Sequence, residues 1–137
     1  MRHIILASHG TFSRGIYNSV QIILGEQENV HVIQAYVEEG QDVNDLITNT
    51  LKDIPAEDDI IVCTDVFGGS VNNEWMKRLN RKNLHLITGM NLGLLMNVFM
   101  RKDEDDLENM IRQSIQEAKD GVVYCNDLLS DEDEEEF

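Results

Sequence analysis

His3-Ile4-Ile5-Leu6-Ala7-Ser8-His9-Gly10-Thr11 carries the strongest topological signal in the chain. Four consecutive apolar residues, Ile4 to Ala7, suit a strand covered on both faces, as strands of a parallel sheet are. The polar pair Ser8-His9 and then Gly10 end the run. Ile16, Val20, Ile23 and Leu24 follow at helical spacing, so residues 13–24 read as a helix with Gly25 at its end. A buried strand leading straight into an amphipathic helix is the first half of a βαβ unit.

The same order recurs downstream. Residues 30–37 alternate well enough for a second strand. Residues 41–54 read as a helix whose stripe is Val43, Leu46, Ile47, Thr50, Leu51 and Ile54, stopped by Pro55. Residues 59–63 form a third strand around Ile60-Ile61-Val62-Cys63, which runs into Thr64-Asp65-Val66-Phe67-Gly68-Gly69-Ser70. A helix then carries Val71, Trp75, Met76 and Leu79, and residues 84–88 make a fourth strand closed by Gly89. Residues 90–100 are apolar nearly all round, the mark of a buried helix or one at a subunit interface. Residues 103–119 make the last helix, through Leu107, Met110, Ile111, Ile115 and Ala118. Its acidic first turn, Asp103 to Asp106, complements the helix dipole. After Gly121, Val122-Val123-Tyr124-Cys125 reads as a short final strand. The expected fold is α/β and flavodoxin-like: a doubly wound, mainly parallel sheet of order 2-1-3-4 with a short C-terminal edge strand.

Composition bounds the rest. A chain of 137 residues, 42% hydrophobic and 27% charged, is one globular domain. Its net charge of −15 lacks the basic footprint that nucleic acid or an anionic membrane surface requires. Residues 1–100 hold seven basic and twelve acidic side chains, whereas residues 101–137 hold four and fourteen. The expected organisation is a domain over residues 1–129 and an acidic tail over residues 130–137. Cys63 and Cys125 lie in apolar runs and read as core residues of a reducing compartment. Without a leader or an 18-residue apolar run, a cytoplasmic location is expected.

Open α/β sheets bind ligands beyond the carboxyl ends of their strands, at a topological switch point. In the expected order that point lies between strands one and three, which brings His9 to Asp65 and Gly68-Gly69-Ser70. Neutral imidazole, with a reference pKa of ~6.5, is a good nucleophile near neutral pH. A carboxylate on one ring nitrogen fixes the tautomer and leaves the other free to attack. Backbone N–H groups at a glycine-rich helix start hold phosphate oxygens without a metal. Together these residues describe a site that holds a phosphoryl group on histidine. Singly, each has a plain structural reading: a strand-end loop histidine, a turn aspartate, a turn followed by an N-cap. Their convergence carries the functional reading.

Other constellations are weaker. His3, His31 and His85 lie in or beside strand runs and read as core or surface residues. Lys77, Arg78, Arg81 and Lys82 are expected on one solvated face of the third helix. No Cys/His spacing suggests zinc, no GxxxxGK[ST] is present, and the Gly-Gly pair is not a dinucleotide fingerprint. Neither a metal nor a cofactor is expected.

The sequence resembles the enzyme IIA domain of the mannose-type bacterial phosphoenolpyruvate-dependent sugar phosphotransferase system, the mannose/fructose/sorbose family. The resemblance rests on Ile4-Ile5-Leu6-Ala7-Ser8-His9-Gly10, Leu24-Gly25-Glu26-Gln27-Glu28-Asn29-Val30, Thr64 to Ser70 with Asn73, and Gly89-Met90-Asn91-Leu92. It implies that His9 accepts a phosphoryl group from the carrier protein HPr on Nε2, with Asp65 orienting Nδ1. It implies transfer onward to a IIB protein, which serves the membrane IIC/IID complex. Phe67, Gly68, Gly69 and Ser70 match the family's phosphate-binding segment. A homodimer with the last strand swapped is also implied. Val71 and Gly93 stand where the family commonly has proline, and the acidic tail lies outside the pattern. Two alternatives share this fold: the phosphotransfer subunit of a dihydroxyacetone kinase system, and a non-enzymatic regulatory domain.

Overall fold

The apolar run at residues 4–7 forms the centre of β1 (Arg2–His9), whose residues 3–8 are all buried. The computed structural model describes residues 1–129; the expected acidic tail at residues 130–137 lies outside the described residues. From β1 the chain passes through α1 (Phe12–Leu24), β2 (Val30–Ala35), α2 (Val43–Leu51), β3 (Asp59–Thr64) and α3 (Ser70–Met76). It continues through β4 (Leu84–Thr88), α4 (Leu92–Met100) and α5 (Leu107–Asp120), and the last element among the described residues is a 3-10 turn, Cys125–Leu128. The four strands form one sheet in the order β2-β1-β3-β4, every pair parallel. This is the expected doubly wound arrangement, with helices on both faces.

The period of two along the central strands divides the core. Ile4 and Leu6 of β1, with Ile61 and Cys63 of β3, pack against Tyr17, Val20, Leu95, Val98 and Met110 of α1, α4 and α5. Ile5 and Ala7, with Ile60 and Val62, face Ile47 of α2 and Val71 and Trp75 of α3. Continuous apolarity was therefore the right signature, because both faces of β1 and β3 are covered.

Several boundaries differ from expectation. α2 begins only after Asp42, whose carboxylate accepts the Asn44 N–H and caps the helix. α3 stops at Met76, so Lys77, Arg78, Arg81 and Lys82 occupy the turns before β4 and not a helix face. There the Arg78 guanidinium donates to Asn44 and Thr48 on α2, and that of Arg81 to Asn83 and the Pro55 carbonyl. Asp103 to Asp106 are not a first helical turn. Asp106 is the N-cap of α5, accepting from Asn109 N–H, and Arg2 donates to the carbonyls of Lys102, Glu104 and Asp105 in the preceding turn.

The expected C-terminal edge strand is not formed. Residues 122–124 pair with neither open edge of the sheet, and Val122, Val123 and Tyr124 are exposed. A strand exists only by its ladder partner, and apolar content alone does not supply one. Cys125 is accordingly exposed, not a core residue, whereas Cys63 is buried and its thiol is pushed up to about 12 by that burial. Among the described residues no helix is long and apolar enough to cross a membrane.

Candidate active site

Parallel pairing in register sets the site. Ala7 of β1 lies opposite Thr64 of β3, and His9 opposite Ala35 of β2. The residues that follow, Asp65 and Tyr36, are thereby delivered to either side of His9. Thr64 is buried, and its hydroxyl donates to Asn72 Oδ1 at 2.7 Å, tying the end of β3 to α3.

Asp65 makes three hydrogen bonds. Its Oδ2 accepts the His9 backbone N–H at 2.8 Å and lies 2.8 Å from His9 Nδ1. Its Oδ1 accepts the Val66 N–H at 3.0 Å. Burial alone would push this carboxyl up, but the backbone and ring donors of His9 and the charge of its ring outweigh that, holding it below the ordinary range. Asp65 is therefore ionised at neutral pH and can only accept. His9 Nδ1 must then carry a proton, and in the neutral ring Nε2 presents its lone pair. The His9 side chain is 43% exposed and that of Asp65 only 10%, so the orienting group is sheltered and the ring is open.

The loop after β3 closes on the other ring nitrogen. Gly68 adopts φ +82°, a conformation that favours glycine, and Asn73 donates to its carbonyl. A Cβ at Gly69 would lie 3.0 Å from His9 Cε1, so any side chain there would push the ring aside. α3 starts without a side-chain cap at Gly69, which leaves its first amides open to another acceptor. Ser70 Oγ lies 3.3 Å from His9 Nε2. Phe67 is 78% exposed, so its side chain lies largely in solvent. Val71 is fully buried against the core, so the position expected to carry proline instead anchors the start of α3. A Cβ at Gly93 would meet only Asn91 Oδ1, at 3.5 Å.

Tyr36 is the residue that sequence reasoning missed. Its ring stacks on His9, centroids 5.5 Å apart and planes 27° apart, and its hydroxyl is 2.6 Å from Ser70 Oγ. The only sequence signal was position: it follows β2, the strand beside β1.

The other histidines stand apart. His3 and His31 hydrogen-bond to each other at 3.1 Å, and His3 bonds Asp58 at 2.9 Å, at the far end of the sheet. Among the described residues, no group of three or more His, Cys, Asp or Glu is placed to hold a metal ion.

A flavodoxin-like domain with an oriented, open histidine at its switch point is the class that fold and site define. A family model described as "PTS system fructose IIA component" matches residues 3–116, and the chain belongs to this family of sugar phosphotransferase system (PTS) components. It is 26% identical over 131 residues to a PTS fructose-specific EIIA component of Bacillus subtilis, covering 94% of this chain and 90% of that one. It is 23% identical over 124 residues to the mannose-specific EIIAB component of Escherichia coli K12, of whose length it spans 38%. A crystal structure from Klebsiella pneumoniae, described as a PTS permease, superposes with TM-score 0.91 at 42% identity over 94% of each chain. An EIIA component from Streptococcus agalactiae gives 0.76 at 27% identity, over 90% of this chain and 96% of that one. Components of this family are phosphotransferases, and membership supports a phosphocarrier role in a sugar phosphotransferase system.

Proposed function

We propose that the chain is a cytoplasmic phosphocarrier that accepts a phosphoryl group from phospho-HPr on His9 and passes it to a IIB protein. The observation that supports this reading is the Asp65–His9 pair, which holds the Nδ1 proton and leaves Nε2 to carry the lone pair on a partly exposed ring. Nε2 attacks phosphorus in line. The bond from phosphorus to the donor's ring nitrogen breaks, and its electron pair returns to that nitrogen. The proton on His9 Nδ1 stays in place, and the positive charge gained by the ring is balanced by Asp65. The Ser70 hydroxyl and the amides of Phe67, Gly68 and Ser70 donate to the phosphoryl oxygens, that of Gly69 being given to the Val66 carbonyl. The second transfer is the same step in reverse, with the IIB histidine as acceptor and the membrane IIC/IID complex served downstream. Both steps require positioning more than covalent help from the protein.

Residues 1–129 are the working domain in this reading, and residues 130–137 an appended acidic tail. Homodimer formation belongs to it as well. Val122, Val123, Tyr124, Leu128 and Leu129 are all exposed, and exchange of this segment onto β4 of a second copy would cover them. Light scattering on the full chain tests it: a dimer is expected, and a monomer at all concentrations overturns it.

Labelling from phospho-HPr tests the main reading. The full chain acquires acid-labile, base-stable phosphate and passes it to a IIB protein, whereas His9→Ala acquires none. Label retained by His9→Ala refutes the assignment. Label that reaches a kinase subunit but no IIB protein supports the dihydroxyacetone kinase alternative instead.

A further inference from the structure

We propose that Tyr36 is a positioning residue for phosphoryl transfer, acting on His9 through its stacked ring and through a hydroxyl chain that runs by way of Ser70. The proposal rests on the reading of His9 as the phosphorylated residue.

The direction of the chain follows from Asp65. Because Asp65 only accepts, Nδ1 donates, and in the neutral ring, the form that can attack phosphorus, Nε2 receives. The Ser70 hydroxyl at 3.3 Å can then satisfy Nε2 only by donating. That leaves the Ser70 oxygen free to accept the Tyr36 hydroxyl at 2.6 Å. Tyr36 therefore fixes which way the Ser70 proton points, toward the place where a phosphoryl group arrives. When phosphorus occupies Nε2, the same Ser70 proton turns to a phosphoryl oxygen while its oxygen keeps the Tyr36 bond. The second contact is the stack. A ring phosphorylated at Nε2 and protonated at Nδ1 is cationic, and the face of Tyr36, 5.5 Å from its centroid, is favourable for a cation.

The backbone supplies an independent sign. Tyr36 sits at φ +65°, the left-handed region that a bulky residue rarely adopts. A strained backbone is kept where its surroundings over-determine it, and such residues cluster at functional sites. Tyr36 is more than half exposed, so burial does not explain the strain. Its ring and hydroxyl contact His9 and Ser70.

The test uses the full chain, with Tyr36→Phe, Tyr36→Ala and Tyr36→Gly. Each is labelled by phospho-HPr, freed of donor and followed for phosphohistidine lifetime. The 15N resonance of His9 Nε2 is recorded before labelling. Tyr36→Phe keeps the stack and loses the hydroxyl, so the Nε2 resonance shifts and the lifetime falls on the order of two- to tenfold. Tyr36→Ala loses both contacts, and the lifetime falls about a further two- to tenfold. Tyr36→Gly is as short-lived as Tyr36→Ala but melts no lower than Tyr36→Ala, because glycine takes φ +65° without strain. Unchanged lifetimes and an unchanged Nε2 resonance in Tyr36→Phe and Tyr36→Ala overturn the proposal. A Tyr36→Gly variant that melts below Tyr36→Ala also overturns it, because the torsion at residue 36 would then carry no strain for function to hold. If the parent chain takes no phosphate from phospho-HPr, the assigned function fails instead, and the Nε2 resonance still decides whether Tyr36 governs the ring.

Discussion

Asp65→Asn separates charge from shape at the site. Asp65 offers two acceptor oxygens: Oδ2 takes two N–H groups from His9, and Oδ1 takes the Val66 N–H. Asparagine has one acceptor oxygen and one NH2, so either orientation sets a donor against a donor. The less costly orientation keeps the oxygen on His9 and turns the NH2 toward Val66 N–H. The ring then stays oriented, but the charge that balances a phosphorylated imidazole is lost. Hydrogen bonds to a charged group contribute about 1.5–3 kcal/mol, which corresponds to roughly ten- to hundredfold in transfer rate. Stability follows the same group. The folded-state pKa of Asp65 is depressed, so its contribution is present above the unfolded value and is lost as pH falls through the folded one. Asp65→Asn should therefore melt lower at pH 7, by about 4 °C for each kcal/mol lost, and converge with the parent in strong acid. Rapid-quench transfer from phospho-HPr and thermal melts across pH measure the two effects. A variant that transfers within twofold of the parent refutes the role given to Asp65.

Three further outcomes are expected. Gly69→Ala brings a Cβ to 3.0 Å from His9 Cε1, so the ring must shift; transfer should fall about tenfold, read in the same quench assay, while melting changes little. His31 is held below its ordinary pKa by burial and then by the charge of His3, with Asp53 opposing. A histidine with a depressed folded-state pKa contributes stability above its unfolded pKa that declines as pH falls below it, so the melting temperature should drop between pH 7.5 and 5.5, and His31→Gln should flatten that slope. Thiol labelling of the native chain should modify exposed Cys125 alone, and Cys63 only on unfolding, because burial removes both access and thiolate; equal labelling of both in the native state would contradict the core described above.

The topology was legible because its signals are local. Ile4 to Ala7 and Ile60 to Cys63 are short, β-branched-rich and apolar without interruption, as doubly covered strands are, and the helices between them enforce parallel pairing. The errors fall where a local pattern competes with a tertiary contact. Leu79 continues the stripe of α3, yet the helix ends at Met76 and Arg78 is drawn to Asn44 and Thr48 on α2. Val122 to Cys125 has strand composition, but strand formation depends on an open ladder, which composition does not report.

The site divides along the same line. That His9, Asp65 and the Gly68-Gly69-Ser70 loop lie together was legible because strand order alone carries the ends of β1 and β3 side by side, whatever the side chains do next. Tyr36 was invisible because its part depends on a backbone torsion that its sequence neighbours, Ala35 and Val37, do not encode. Were Tyr36 in ordinary extended backbone, its ring would project along a different direction from the end of β2. The positive φ aims it at His9, and the stack and the 2.6 Å hydroxyl contact in turn hold that torsion. In the function proposed for His9, the orientation of its ring is thus set from both sides. A sheltered carboxylate that topology delivers fixes Nδ1, and a strained tyrosine that only the folded geometry reveals governs the approach to Nε2.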